Sequence, residues 1–249
     1  MLSRQKSLKS RFRAIWLSLA LTTPHSFRDR LKFLTSLVIK DSLDDLELED
    51  KLETTIIAIA VGAYWHQDLW EVRSRLLELE SHSNIDIQEL VLAYAIALAC
   101  REQLQPQLFI NQICNDFGNR IALGHDPQSQ SQCLSQIQNS QRLVSQGESM
   151  ITAHRLEGGL SDAIASSLYY FLTTPHSWRL IVERTQKHPQ ENRVQVITQS
   201  TAIAAAYWGE ITDMNIAQDE TQQAIWKNGQ KLGEQAWENW AGIFDCAKI

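Results

Sequence analysis

Thr54-Thr55-Ile56-Ile57-Ala58-Ile59-Ala60-Val61-Gly62-Ala63-Tyr64-Trp65 is the stretch whose reading decides the fold class. It carries no charge and no alternation of polar with apolar residues, so a half-exposed strand is excluded. Its purely apolar part, Ile56 to Trp65, is about half of the ~20 residues that a bilayer span needs. What remains is a central helix, apolar on every side and buried by its neighbours.

Helical spacing continues outward in both directions. Upstream, Leu8, Phe12, Ile15, Trp16 and Leu19 form one stripe, and Phe27, Leu31, Leu34 and Val38 form a second. Downstream, Asp68 is expected to cap a helix with Leu69, Val72, Leu76 and Leu77 inward. Asp86 begins another through Leu90, Ala93, Tyr94 and Ala97, and Pro106 is expected to open the next, which ends near Gly118. Residues 119–148 contain His125-Asp126-Pro127 and seven glutamines (128, 130, 132, 136, 138, 141 and 146). They read as a Gln-rich loop followed by a modest helix on Leu134, Ile137 and Val144. Helices over about 161–172, 175–186 and 194–209 follow, and a last one over about 217–243 carries Trp226, Trp237 and Trp240. The expected fold is all-α, one large helical domain over residues 1–249.

Composition agrees with a globular chain, at 44% hydrophobic and 21% charged residues. The cysteines at 100, 114, 133 and 246 include no close pair, which excludes a disulfide scaffold and the CxxC zinc families. The N-terminus imitates a secretory signal, with basic residues before Ala14–Leu21. That run is short, holds Ser18 and ends in Thr22-Thr23-Pro24 rather than a small-x-small site, so a cytoplasmic protein is expected.

Charge is uneven. Residues 1–40 hold nine Lys and Arg against Asp29 alone, while 41–53 hold seven Asp and Glu against Lys51. The expectation is two solvated faces that pair with each other. A second reading makes the basic 1–13 arm of the N-terminal helix (1–21), with the Trp-rich last helix, a docking surface for a larger assembly or a peripheral membrane contact. Nucleic acid is not an expected partner, because only Phe12 and Trp16 interleave with the bases.

An internal echo stands out. Leu21-Thr22-Thr23-Pro24-His25-Ser26-Phe27-Arg28 returns as Leu172-Thr173-Thr174-Pro175-His176-Ser177-Trp178-Arg179, with seven of eight residues identical. Two helix–turn–helix joints explain it, with Thr as N-cap and Pro at the first helical position. Convergence of His25 and His176 on one site is the functional alternative.

Signs of chemistry are few. Gly158-Gly159 is the only adjacent glycine pair, so no phosphate cradle is present, and Glu157–Asp162 reads as a loop with a helix cap. His66-x-Asp68 reads as a helix end rather than a ligand pair, and Cys114 as a structural thiol. Paired carboxylates are expected on no buried helix and crowd instead into 41–53, a solvated surface.

The run Asp162-Ala-Ile-Ala-Ser-Ser-Leu-Tyr-Tyr-Phe-Leu-Thr-Thr-Pro175, then an amphipathic helix, then Ser200-Thr-Ala-Ile-Ala-Ala-Ala-Tyr-Trp-Gly209 resembles the end of the ADP-ribosylglycohydrolase fold. More loosely, Ser10–Ala20 resembles that family's opening helix, and Thr54–Ala63 resembles its apolar helix after the first acidic cluster. Trp240-Ala-Gly-Ile-Phe-Asp245 is similar to a cyanobacterial branch. The resemblance implies cleavage of ADP-ribose from protein side chains or small conjugates. It also implies two Mg²⁺ or Mn²⁺ ions held between a Thr-Asp-Asp-type and an Asp-x-Asp-Thr-type cluster. Here the second cluster matches Asn192-Arg-Val-Gln-Val-Ile-Thr-Gln-Ser-Thr-Ala202, with no carboxylate until Glu210. Asp44-Asp45 or Glu49-Asp50 are the only candidates for the first cluster, and neither is Thr-flanked. The expectation is a lapsed di-metal site in a non-catalytic binding or regulatory protein, with no catalytic residue, no metal and no cofactor. Thr198, Gln199 and Ser200 would hydrogen-bond an ADP-ribose-like ligand, and an unknown protein would be the partner. The alternative is an active hydrolase using Asp44, Asp45 or Asp50 with Mg²⁺ or Mn²⁺.

Overall fold

The computed structural model describes residues 6–43, 46, 48, 50–80, 85–118, 127–149, 160–211 and 220–242. The described elements are α1 (Leu8–Thr22), α2 (Arg28–Ile39), α3 (Lys51–Tyr64), α4 (Leu69–Glu80), α5 (Ile87–Cys100), α6 (Phe109–Gly118), α7 (Pro127–Ser145), α8 (Ala163–Thr173), α9 (Trp178–Thr185), α10 (Arg193–Trp208) and α11 (Glu220–Trp240). Short 3₁₀ turns at His25–Phe27 and Gln190–Asn192 precede α2 and α10. No strand occurs among the described residues, and one hydrophobic core runs through them.

The deciding stretch behaves as its composition requires. Every residue of α3 from Glu53 to Ala63 is buried. Helix α5 is its closest partner because Gly62 lies flat on Ala93. A methyl added at Gly62 would fall 2.8 Å from the Ala93 Cα and nearer still to its carbonyl oxygen. Two further glycines let α11 lie on α1, Gly229 over Leu17 and Ala20, and Gly233 over Phe12 and Arg13. Helix α10, buried from Thr198 to Ala206, packs on α1, α3, α5, α8 and α9. Side-chain caps set several of the starts. Ser7, Asp50, Asp68 and Ser177 each accept a backbone N–H from the first turn, and Asp86 with Glu89 completes a capping box.

Three readings change here. Pro106 sits in a turn, and α6 begins at Phe109, whose N–H donates to the Gln105 carbonyl. Helix α7 is nineteen residues long rather than modest. A narrow stripe (Gln130, Cys133, Ile137, Ser140 and Leu143) is buried, and the glutamines outside it make the helix read as polar. In the echo, neither Thr is an N-cap and neither Pro opens a helix. The Thr pairs close α1 and α8 instead. Thr22 and Thr23 donate to the Ser18 and Leu19 carbonyls, and Thr173 and Thr174 to those of Tyr169 and Tyr170. Pro24 leads into the 3₁₀ turn, and Ser177 starts α9 two residues after Pro175.

The basic N-terminal helix is an interior element. Arg11, only 7% exposed, donates to the Ala206 and Tyr207 carbonyls at 2.5 and 2.6 Å, which satisfies the end of α10 just before its left-handed C-cap Gly209, and it also pairs with Glu102. Lys6 pairs with Glu210, and Lys9 pairs with Glu234 while lying 4.8 Å from the Trp237 ring. The tryptophan-rich helix thus covers the basic one. Pairing between the two charged stretches is partial: Glu53 meets Arg30, whereas Asp41 meets Arg75 of α4. Asp44, Asp45, Glu47 and Glu49, the first five residues, His125-Asp126, Glu157-Gly158-Gly159 and Cys246 lie outside the described residues. No described helix is long and apolar enough to cross a membrane.

Candidate functional site

The N-terminal ends of α3, α5, α8 and α10 meet at one polar end of the bundle. The Lys51 ammonium pairs with Asp86 at 2.9 Å, and the Thr54 hydroxyl donates to Glu89 at 3.0 Å. The Ile164 N–H reaches the Gln88 side chain at 3.4 Å, and the Asn192 amide donates to the Ser161 carbonyl. Gln195 donates to the Thr55 hydroxyl at 3.3 Å, tying α10 to α3.

Here lies a pair of carboxylates that sequence reasoning missed. Glu89 is 0% exposed. Burial, followed by the Asp86 charge, pushes its carboxyl up to about 8 against a weaker pull from Lys51. Burial alone would also raise Asp86. The hydrogen bond to Glu89, the Lys51 ammonium and the Gln88 N–H outweigh it and hold Asp86 below the usual carboxylate range. The pair therefore keeps one proton at neutral pH. The readable signal was the capping-box spacing Asp86-x-x-Glu89, which places the second carboxyl back against the helix start. Asp162 starts α8 without a side-chain cap bond, and burial with the Asp86 charge raises its pKa.

The chemistry of these donors does not fit a pair of divalent cations. Glu53 is bound to Arg30, and Asp86 to Lys51. Both Glu89 oxygens accept protein hydrogen bonds, one from Thr54 and one from the Asp86 N–H. Asp50 spends its side chain capping α3. The Lys51 ammonium stands among these carboxylates and would repel a cation. Among the described residues no group of three or more His, Cys, Asp and Glu is placed to hold a metal ion.

Thr198, Gln199 and Ser200 are fully buried in α10 and line neither the cleft between α4, α5 and α6 nor the groove between α2 and α11. The Gln199 carbonyl accepts from Ser167 at 2.9 Å, and Ser200 donates back to the Val196 carbonyl at 2.7 Å. Gln199 and Ser200 thus spend their polarity inside the core, and the Thr198 hydroxyl is buried without a hydrogen-bond partner, because α10 is covered on every side from Thr198 to Ala206. His25 borders a groove between α2 and α11, whereas His176 packs on Tyr207 and Trp208, so the two surroundings differ. His66 caps the end of α3 through its Nδ1 and the Ala63 carbonyl at 2.8 Å, and burial lowers its pKa. Cys114 is half-buried, with its thiol pKa raised by burial.

The open concavity is elsewhere. A cleft of about 390 Å³ lies between the start of α4, the middle of α5 and the end of α6. Leu90, Val72 and Phe117 contribute apolar surface to it. Trp70, 65% exposed, stands on its wall with the Arg73 guanidinium 5.5 Å from the ring centre. Tyr94 meets Phe117 edge-on at 5.5 Å and donates its hydroxyl to Asp116. Burial and that carboxylate raise the phenol far above its ordinary value. Arg101, half-buried on the same wall, has no hydrogen-bond or ion-pair partner for its guanidinium among the described residues. The cleft thus offers a flat aromatic surface, an uncommitted cation and two acceptors, Asp68 and Asp116.

Comparison with known proteins adds no neighbour: no family model, no curated protein and no solved structure matches the chain.

Proposed function

We propose that this chain is a non-catalytic binding or regulatory protein that takes a ligand of ADP-ribose type in the α4–α5–α6 cleft and passes the signal to a protein partner. The observation that carries this reading is one cleft lined by the exposed Trp70 ring and by Arg101, whose guanidinium no described residue engages. A planar base stacks on an indole, and a diphosphate is the natural counter-charge of a guanidinium. An ADP-ribosylglycohydrolase-like scaffold with a lapsed di-metal site is part of the proposal. It is supported by the polar end, where the carboxylates are tied to Lys51, Arg30, Thr54 and backbone N–H groups.

Calorimetric titration with ADP-ribose, with and without Mn²⁺, tests it on the wild type and on Trp70→Ala and Arg101→Gln. Binding should be independent of metal, roughly 5- to 150-fold weaker in Trp70→Ala, since stacking on one aromatic ring is worth about 1–3 kcal/mol, and at least tenfold weaker in Arg101→Gln, since a hydrogen bond to a charged group is worth about 1.5–3 kcal/mol. Metal-dependent binding, or hydrolysis of ADP-ribosyl-arginine, would move the chain to the enzymes. Unchanged affinity in both variants, or no binding at all, would remove the cleft as the site.

A further inference from the structure

A second concavity, of about 380 Å³, runs between α2 and α11 on the floor made by α1. Its chemistry differs from that of the cleft. Ala20, Leu31, Ile225 and Leu232 line it with aliphatic surface, and among the described residues no Phe, Tyr or Trp contributes. The α2 side carries His25, Arg28 and Lys32. Among the described residues the one carboxylate on the wall is Glu220, in the first turn of α11.

Arg28 is the unusual member. Its Nε is buried and has no hydrogen-bond partner, and among the described residues no carboxylate pairs with its guanidinium. The terminal nitrogens of the guanidinium are not buried, and they carry to the groove wall a charge that no described carboxylate offsets. Lys32 reaches only Asp29 at 3.3 Å, in an ion pair too exposed to hold it in place. Aliphatic walls beside an unpartnered guanidinium match one kind of molecule, a hydrocarbon tail ending in an anion. The lack of an aromatic wall disfavours a nucleotide, and the volume lies within the range of small-molecule sites.

We infer that the α2–α11 groove binds a single-chain acyl carboxylate, with its tail along Leu31, Ile225 and Leu232 and its head group on Arg28. The carboxylate matches the planar guanidinium fork and accepts from its terminal nitrogens. This inference stands apart from the α4–α5–α6 cleft and shares no residue with it.

Isothermal titration of the full chain with sodium dodecanoate below its micelle concentration is the test, with dodecyltrimethylammonium as the control of opposite charge. Dodecanoate should saturate a single site, and the ammonium should not bind. Arg28→Gln should weaken dodecanoate at least tenfold. Ala224→Trp, which puts a bulky side chain into the groove from an exposed position, should abolish it, with circular dichroism showing both variants folded. Equal binding of both amphiphiles, indifference to both variants, or no binding would overturn the inference. So would Arg28-dependent sedimentation with phosphatidylglycerol vesicles in a chain that ignores dodecanoate, since the groove would then read a bilayer.

Discussion

Replacing Glu89 by Gln should change how stability depends on pH, in a direction that the geometry dictates. The carboxyl has no solvent exposure, and burial with the nearby Asp86 charge raises it from the ordinary 4.5 to about 8. The folded chain therefore holds a proton that the unfolded chain releases above pH ~4.5. That contribution is complete below the unfolded value and is lost as pH rises through about 8. At 1.36 kcal/mol per unit, the interval corresponds to an upper bound of about 5 kcal/mol. That is comparable with the whole stability of many domains.

Three other groups act on the same curve. Asp86, held low, contributes only below its ordinary value of 3.8, outside this window. Asp162, whose pKa is raised, shifts the curve in the same sense as Glu89. His66, whose pKa burial lowers, does the reverse as pH falls through and below 6.5. Asp162 and His66 remain in the variant and Asp86 loses its Glu89 partner, so the difference between wild type and Glu89→Gln reports the proton that the Asp86–Glu89 pair holds. The new amide keeps the shape of the side chain, and its oxygen can still accept the Asp86 N–H. The Thr54 hydroxyl already has the Lys51 carbonyl as a second acceptor at 3.1 Å. Urea unfolding at half-unit steps from pH 5 to 8.5 is the assay. The wild type should lose several kcal/mol relative to the variant across that range. Parallel curves would show that Glu89 does not hold its proton and would refute the reasoning.

Two further substitutions probe the packing. Gly62→Ala should destabilise by at least ~2 kcal/mol, because its methyl meets the Ala93 backbone, which cannot step aside; an unchanged midpoint in thermal unfolding would contradict the close α3–α5 contact. Arg11→Met should cost about 2–4 kcal/mol by denaturant unfolding. It removes the donor to the Ala206 and Tyr207 carbonyls at the end of α10, whereas a neutral outcome would mean that those bonds add nothing to stability.

Much of the secondary structure was legible because its causes are local. The stripes of α1 and α2 repeat within a few residues, and Asp68, Asp86 and the all-apolar face of α3 announce themselves at that range. Where local rules misled, a competing local bond was responsible. The Thr pairs of the echo bond backward to carbonyls of the helix they end rather than forward to the next N–H groups. Basic residues on α1 read as surface, yet Arg11 is buried because its charge is met by helix-end carbonyls and Glu102.

By itself, then, the sequence determined an all-helical chain, the order of its helices and most of their starts. Those depend on side chains three or four residues apart and on caps within one turn. Only the tertiary structure decided what faces what. It took Thr198, Gln199 and Ser200 into the core and turned Asp86 and Glu89 into a proton-sharing pair. It brought Trp70, Arg101 and Phe117 to one cleft, and Arg28 to the aliphatic wall of α11. Such meetings are set by how helices cross, at Gly62 on Ala93 and Gly229 on Leu17 and Ala20. A crossing between distant segments leaves no periodic trace in either one.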